Sequence, residues 1–376
     1  MHVLLLAPAI QDYCIEYANA LAKRANVTFV APSRYFKDYV AFLDERIDVR
    51  LMDWPRHRSP KNIIFLFQLI RLVRSLNPDI VHFLTESVIW LNFAVPAFRK
   101  YGLVTTIHDV QYHVGDHASR RVPRRFADSL IANSDRIIVH GAALRTQAEH
   151  KYTRRKGSIE ILPHLELRRY VHIARKNQFR RRDDPTVNVL FFGRIYAYKG
   201  LDVLIRSIPL VTDEFPNIRV IIAGEGDDFA PYQKLIKDPK FFEIRNRRIP
   251  DDETAQLFTD ADIVVLPYVE ASQSGVLAVA HAFAKSVIVT DVGELGQGIR
   301  DGESGLIIKP GDEIALADAI LTLAQDATLR HQIGAAGQAE AERTASPELV
   351  AECAMQIYEK TVTSRLMHMQ QYPKPA

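Results

Sequence analysis

Short apolar runs alternate with amphipathic stretches along the whole chain, and this rhythm is what most narrows the folds available to it. In the first half, strand-like runs fall at 2–7 (HVLLLA), 27–31 (VTFVA), 49–52, 79–83 (DIVHF), 103–107 (LVTTI), 136–139 (RIIV) and 159–162. Helical stretches lie between them, near 12–25, 61–76, 87–99, 123–133 and 142–152. Over 12–25, Cys14, Ala18, Leu21 and Ala22 share one face at helical spacing. The second half repeats the pattern, with strands at 187–192, 218–223, 262–266, 287–290 and 305–308 and helices at 200–213, 228–237, 251–260, 275–284 and 312–326. Strands that are apolar throughout and separated by helices predict parallel sheets covered on both faces.

Two such units predict an α/β chain of two Rossmann-like, doubly wound domains facing across a cleft. The boundaries expected are 1–170 and 186–346, joined through the polar, basic stretch 166–186 that ends near Pro185. Helices at 328–344 and 347–365 have no strand to flank, so the final segment, 347–370, is expected to pack back across the boundary. A composition of 47% hydrophobic and 25% charged residues excludes disordered and low-complexity classes. The apolar run 63–73 is broken by Gln68 and Arg71 and is too short to span a bilayer. Cys14 and Cys353 are too few for a disulfide framework or a zinc site. With no secretory signal visible, a cytoplasmic location is expected.

Charge is distributed unevenly. Residues 1–185 carry 30 Lys+Arg against 18 Asp+Glu, a balance of +12; the rest carry 18 against 27, a balance of −9. The basic half predicts either plain solvated surface or a phosphate-bearing partner, including peripheral contact with an anionic inner membrane face. The clusters are RHRSPK (56–61), RRVPRR (120–125), RRK (154–156) and RKNQFRRR (175–182). No nucleic-acid partner is expected.

Ligands of doubly wound sheets sit beyond the carboxyl ends of the strands, so the residues just after each strand matter most. After 187–192 comes Gly193-Arg194-Ile195-Tyr196-Ala197-Tyr198-Lys199-Gly200. Gly193 permits a sharp turn, and Arg194 and Lys199 place a forked donor and a point charge in one loop, a pair suited to a diphosphate. After 262–266, the run Glu270-Ala271-Ser272-Gln273-Ser274-Gly275-Val276 opens a helix whose N–H groups could hold an anion; Ser272 or Ser274 could equally be a plain cap. In the first half, His108-Asp109 follow a strand, with Asp109 able to fix the ring while His108 bonds a substrate hydroxyl or phosphate. His82 and His164 are further strand-end histidines, each of which can equally be structural.

GRIYAYKG (193–200), IIAGEGDD (221–228), ADIVVLPYVEASQSGV (261–276) and VIVTDVGELGQGIRDGESGLIIKPGD (287–312) resemble the C-terminal domain of retaining GT-B glycosyltransferases of family 4. DIVHF, TIHDV and SDRIIVHG resemble strands of that family's acceptor domain, and the likeness extends over roughly 1–350. The resemblance implies that Arg194 and Lys199 contact the donor diphosphate and that Gly224 and Gly226 line the nucleotide side. It implies that N–H groups near Gly275, Val276 and Leu277 hold the distal phosphate, and that His108 touches the transferred sugar.

Two departures stand out. The family's two glutamates eight residues apart fall on Ser272 and Ala280 in one register, or on Ala271 and Val279 in the other. Glu270 is the nearest acid; Ser272, Gln273 and Ser274 could bond sugar hydroxyls instead. Where the family has a glycine-rich turn after its first strand, this chain reads Pro8-Ala9-Ile10-Gln11-Asp12.

The expectation is therefore a hexosyltransferase of the kind that serves polysaccharide biosynthesis. It would move a sugar from a nucleotide-diphosphate sugar, its co-substrate, to a glycan or lipid-linked acceptor, with retention and without a metal or cofactor. A nucleotide-sugar epimerase or a non-catalytic sugar-nucleotide-binding scaffold are the alternatives.

Overall fold

A computed structural model describes residues 1–86, 89–111 and 123–371. It divides into two compact units. Among the described residues the first unit holds everything up to Leu165 and, again, everything from Pro347; the second holds Glu166–Ser346.

The first unit is built on a parallel sheet of β1 (His2–Leu6), β2 (Asn26–Pro32), β3 (Asp48–Met52), β4 (Ile80–Phe83), β5 (Gly102–Thr106), β6 (Arg136–Val139) and β7 (Ile159–Ile161). The strand order is β3-β2-β1-β4-β5-β6-β7, so the direction of winding reverses between β1 and β4. Alternate side chains of β1 feed two cores. Val3 and Leu5 pack under the helix Gln11–Leu21, and Leu4 and Leu6 pack under the helix Asn62–Leu76.

The last helix, Pro347–Gln371, belongs to this unit. Val350, Ala354, Ile357 and Tyr358 enter the same core as the helix Gln11–Leu21. The Tyr17 and Tyr358 hydroxyls lie 2.7 Å apart, and Lys23–Glu348 and Arg24–Glu352 ion pairs flank the contact.

The second unit has its own parallel sheet: β8 (Val187–Phe192), β9 (Ile218–Gly224), β10 (Phe242–Asn246), β11 (Ile263–Leu266), β12 (Ser286–Thr290) and β13 (Leu306–Ile308). Its order, β10-β9-β8-β11-β12-β13, reverses between β8 and β11. The basic stretch after Leu165 is packed rather than loose. The helix Arg169–Lys176 lies in this unit, where buried Arg169 pairs with Asp251 at 2.5 Å, while Arg181 and Arg182 pair with Asp262 and Asp260.

Three elements differ from the sequence expectations. Strand β10 is not foreseen by periodicity, because Glu243 and Arg245 interrupt FFEIRN; the two ion-pair with each other at the sheet edge. Instead of a helix over 228–237, only Ala230–Gln233 is helical, with Pro231 in its first turn. Within 87–99 the described part is a 3₁₀ turn, Trp90–Phe93, and a short helix, Val95–Phe98; residues 87 and 88 lie outside the described residues.

Candidate active site

In the second unit, the reversal of winding opens the sheet edge between β8 and β11, the place where such sheets receive ligands. The loop after β8 is fixed against its neighbours by backbone contacts that only glycine permits. Gly224 has φ +146°, and a Cβ there would stand 1.8 Å from the Gly193 carbonyl oxygen; a Cβ on Gly226 would stand 2.0 Å from that of Ile195. The two loops therefore run side by side, with Ile195 N–H donating to Glu225 O and Asp227 N–H to Ile195 O. Gly224 and Gly226 thus serve this close approach directly.

Arg194 and Lys199 each lie over an aromatic ring, Arg194 over Tyr196 with its Cζ 5.2 Å from the centroid and Lys199 over Tyr268. Lys199 Nζ sits 3.7 Å from the centroid of Tyr268, the second residue past β11. Tyr268 is buried and its hydroxyl lies 3.3 Å from Ser274 Oγ. Burial pushes the Tyr268 phenol up to about 12, while the Ser274 bond and the positive charge of Arg194 act in the opposite direction. Tyr268 was not evident from the sequence; its place two residues past an apolar strand, beside a proline, is the only signal it leaves.

The helix Gly275–Ala282 begins at this same edge. Ser274 occupies its N-cap position, but no side-chain cap bond forms; the hydroxyl lies beside Tyr268 instead. The first-turn N–H groups of Gly275, Val276 and Leu277 are left for something other than an intrahelical partner. Gly193 lies against this turn, where its Cβ would stand 3.4 Å from Val276 Cγ2. Ser272 is buried and its carbonyl accepts from Glu294 N–H, while Glu270 is half-buried and the Gln273 Oε1 is buried without a partner. Two lysine- and arginine-borne charges, a helix start and the unpartnered Gln273 Oε1 make an edge able to hold an anionic, hydroxyl-rich ligand.

In the first unit, the carboxyl edge carries histidines. His82, on β4, bonds Tyr358 Oη through Nδ1 at 2.7 Å and Thr106 Oγ1 through Nε2 at 2.8 Å. His108 is 5% exposed. Its Nε2 lies 2.9 Å from the Leu84 carbonyl and its Nδ1 lies 3.2 Å from Nε2 of His140. The ring is therefore oriented by Leu84 and His140, partners that sequence proximity does not suggest. Glu86, almost fully buried, accepts from the His108 backbone N–H at 3.3 Å. Tyr13 stands edge-on to His108, with ring centroids 4.9 Å apart. His140, Glu86 and Tyr13 escape a reading of the sequence because they are brought together only by strand order.

Residues 186–326 match the family described as glycosyl transferases group 1, and residues 10–164 match glycosyltransferase family 4. The chain belongs to the group 1 glycosyltransferases. Among the relatives of this glycosyltransferase is a phosphatidyl-myo-inositol mannosyltransferase from Mycobacterium leprae, 32% identical over 47% of this chain and 47% of that protein. Another is a D-inositol 3-phosphate glycosyltransferase from Corynebacterium urealyticum, 26% identical over 67% of this chain and 64% of that one. The chain thus spans about half to two thirds of these two relatives. In fold it is similar to a sucrose-phosphate synthase from Thermosynechococcus elongatus, with a TM-score of 0.73 at 15% identity, covering 97% of this chain and 100% of that one. It is also similar to the Anabaena protein Alr3699/HepE in complex with UDP-glucose, with a TM-score of 0.71 at 15% identity, covering 96% and 100%. These likenesses carry the two Rossmann-like units of a GT-B glycosyltransferase.

Proposed function

We propose that this glycosyltransferase moves a hexosyl unit from a nucleotide-diphosphate sugar to a hydroxyl of a glycan or lipid-linked acceptor, with retention of configuration and without a metal. The observation that carries the reading is that Lys199, over Tyr268, the open helix start at Gly275, and Arg194, whose charge acts on the same phenol, share the sheet edge between β8 and β11. As the bond from the anomeric carbon to the diphosphate breaks, negative charge grows on the leaving oxygen. Fixed cations and N–H dipoles at this edge stabilise it more than the ground state. The acceptor oxygen bonds the anomeric carbon from the face the diphosphate leaves, and its proton passes to the leaving diphosphate. In this reading the chain's own cations, Arg194 and Lys199, neutralise the leaving diphosphate. Ser272, Gln273 and Glu270 take the sugar hydroxyls in place of the paired glutamates.

The test is incubation with UDP-, GDP- and ADP-sugars, with thermal shift and product analysis in parallel. One donor class should raise the melting temperature and, with acceptor, release nucleoside diphosphate. Isomerised donor would establish an epimerase, and a thermal shift with no product a scaffold.

The same reading gives the first unit a membrane-facing surface, in keeping with a lipid-linked acceptor. On the helix Asn62–Leu76, Phe65, Leu69 and Val73 are buried, while Ile63, Ile64 and Phe67 are 57%, 60% and 70% exposed. Helical spacing puts Arg71 and Arg74, both exposed, on that bare face. Phe93 is 60% exposed, and its neighbour Trp90 donates to the His57 carbonyl, next to exposed Arg56, Arg58 and Lys61. An apolar face rimmed by cations fits an anionic lipid surface, which attracts each nearby Lys or Arg by about 1 kcal/mol. Of the other basic clusters, Arg181 and Arg182 are ion-paired, and 120–122 lie outside the described residues. No described helix is long and apolar enough to cross a membrane. Co-sedimentation with vesicles should rise with anionic lipid content, vanish at high salt, and fall roughly tenfold in Phe67→Ser. No co-sedimentation with strongly anionic vesicles at low salt would remove the membrane from the reading.

A further inference from the structure

The carboxyl edge of the first sheet carries a hydrogen-bonded row that spans four adjacent strands. Leu84 follows β4, His108 follows β5, His140 follows β6 and Leu162 follows β7. The Leu84 carbonyl meets His108 Nε2 at 2.9 Å, His108 Nδ1 meets His140 Nε2 at 3.2 Å, and His140 Nδ1 meets the Leu162 carbonyl at 3.0 Å. Both ends of the row are carbonyl oxygens, which only accept. Each outer nitrogen must therefore carry hydrogen.

Three hydrogen bonds need three N–H groups, and two neutral imidazoles supply only two. Without a further proton, two lone pairs would face each other at 3.2 Å in a buried site. We propose that His108 and His140 hold one extra proton between them and act as a single buried cation, with His140 the positioning residue that keeps His108 from presenting a lone pair.

The surroundings fit one positive charge and resist a second. The buried carboxyl of Glu86 lies beside the His108 backbone, and Asp109 follows in the chain. Tyr13, from the helix Gln11–Leu21, stacks edge-on against both rings, 4.9 and 5.4 Å away, and burial holds its phenol in the neutral form. His164 lies 5.2 Å from His140, and His82 stands on β4 one layer back. Burial first, and the charge of His108 second, hold His82, His140 and His164 all below the usual histidine range.

This inference deepens the transferase reading and rests on it only for its activity arm. A protonated pair has no lone pair for the acceptor hydroxyl, so His108 is no general base. It acts on the reaction as a fixed positive charge.

The direct test counts protons in the ligand-free full-length chain. Side-chain ¹⁵N spectra with histidine labelling should show three protonated nitrogens on the pair at pH 7. In His140→Gln, the amide oxygen still accepts from His108 Nδ1–H and its amide still donates to Leu162, so His108 should remain a two-donor cation. In His140→Leu, His108 should lose its second proton at a pH at least one unit lower. The alkaline limb of kcat/KM against pH should move the same way in His140→Leu and stay in place in His140→Gln. Two protonated nitrogens in the wild-type pair at pH 7 would overturn the proposal. So would a His140→Leu variant in which His108 titrates as in wild type. The wild-type count decides even if a variant fails to fold, and it remains readable if no sugar nucleotide is ever turned over.

Discussion

Replacing Arg194 or Lys199 with alanine is expected to lower turnover by two or more orders of magnitude, about 3 kcal/mol of transition-state stabilisation. Lys199 lies over Tyr268, and the charge of Arg194, from the same loop, acts on that phenol beside the helix start at Gly275, so each variant loses a fixed charge where the leaving diphosphate would gather its own. Lys199 also stacks on a buried aromatic ring, a contact worth about 1–2 kcal/mol when desolvated. Arg194 lies over the Tyr196 ring, so both variants should also lose a little stability. Measuring kcat together with the melting temperature separates these effects. If both variants retain activity within a factor of two, the pair has no part in the chemistry.

The parts of this fold legible from sequence are those that local pattern determines. Strands buried on both faces, such as VLLLA in β1 and IVVL in β11, read as continuous apolar runs. Parallel sheets receive ligands at the residues after each strand, and the loops at Gly193–Gly200 and Glu270–Val276 lie at the reversal between β8 and β11. What stayed hidden depends on which strands become neighbours. His108 and His140 are 32 residues apart in the chain and meet only because β5 and β6 pair. Tyr268 is one aromatic residue among many until Lys199 is seen above it. The exposure of Ile63, Ile64 and Phe67 is a third case: a helix that is apolar nearly all round reads as core, and only the packed structure shows which face the sheet leaves bare. Strand β10 escaped for a local reason, since an edge strand can carry an ion pair where a central one cannot.

The first unit should lose stability in mild acid, and His82 should account for a measurable share of the loss. It is fully buried, with its two nitrogens on Tyr358 and Thr106, and burial, reinforced by the charge of His108, lowers it from 6.5 to about 3. Above 6.5 neither the folded nor the unfolded chain protonates this ring, so its neutral burial carries no pH-dependent penalty. Between 6.5 and 3 the unfolded chain binds a proton that the folded one does not, and stability falls as the pH falls. At pH 5 the difference is about 2 kcal/mol for this one residue. The only tryptophans, Trp54 and Trp90, both lie in the first unit, so their fluorescence follows its unfolding without interference from the second. Urea titrations at pH 7 and pH 5 should therefore show a smaller drop in His82→Gln than in wild type, by about 2 kcal/mol. Glutamine can still bond Tyr358 and Thr106 but has no proton to gain. An equal drop in both proteins would mean that His82 takes up its proton as readily in the folded chain as in the unfolded one, and that the tyrosine–histidine–threonine contact on β4 is held together differently from the arrangement described.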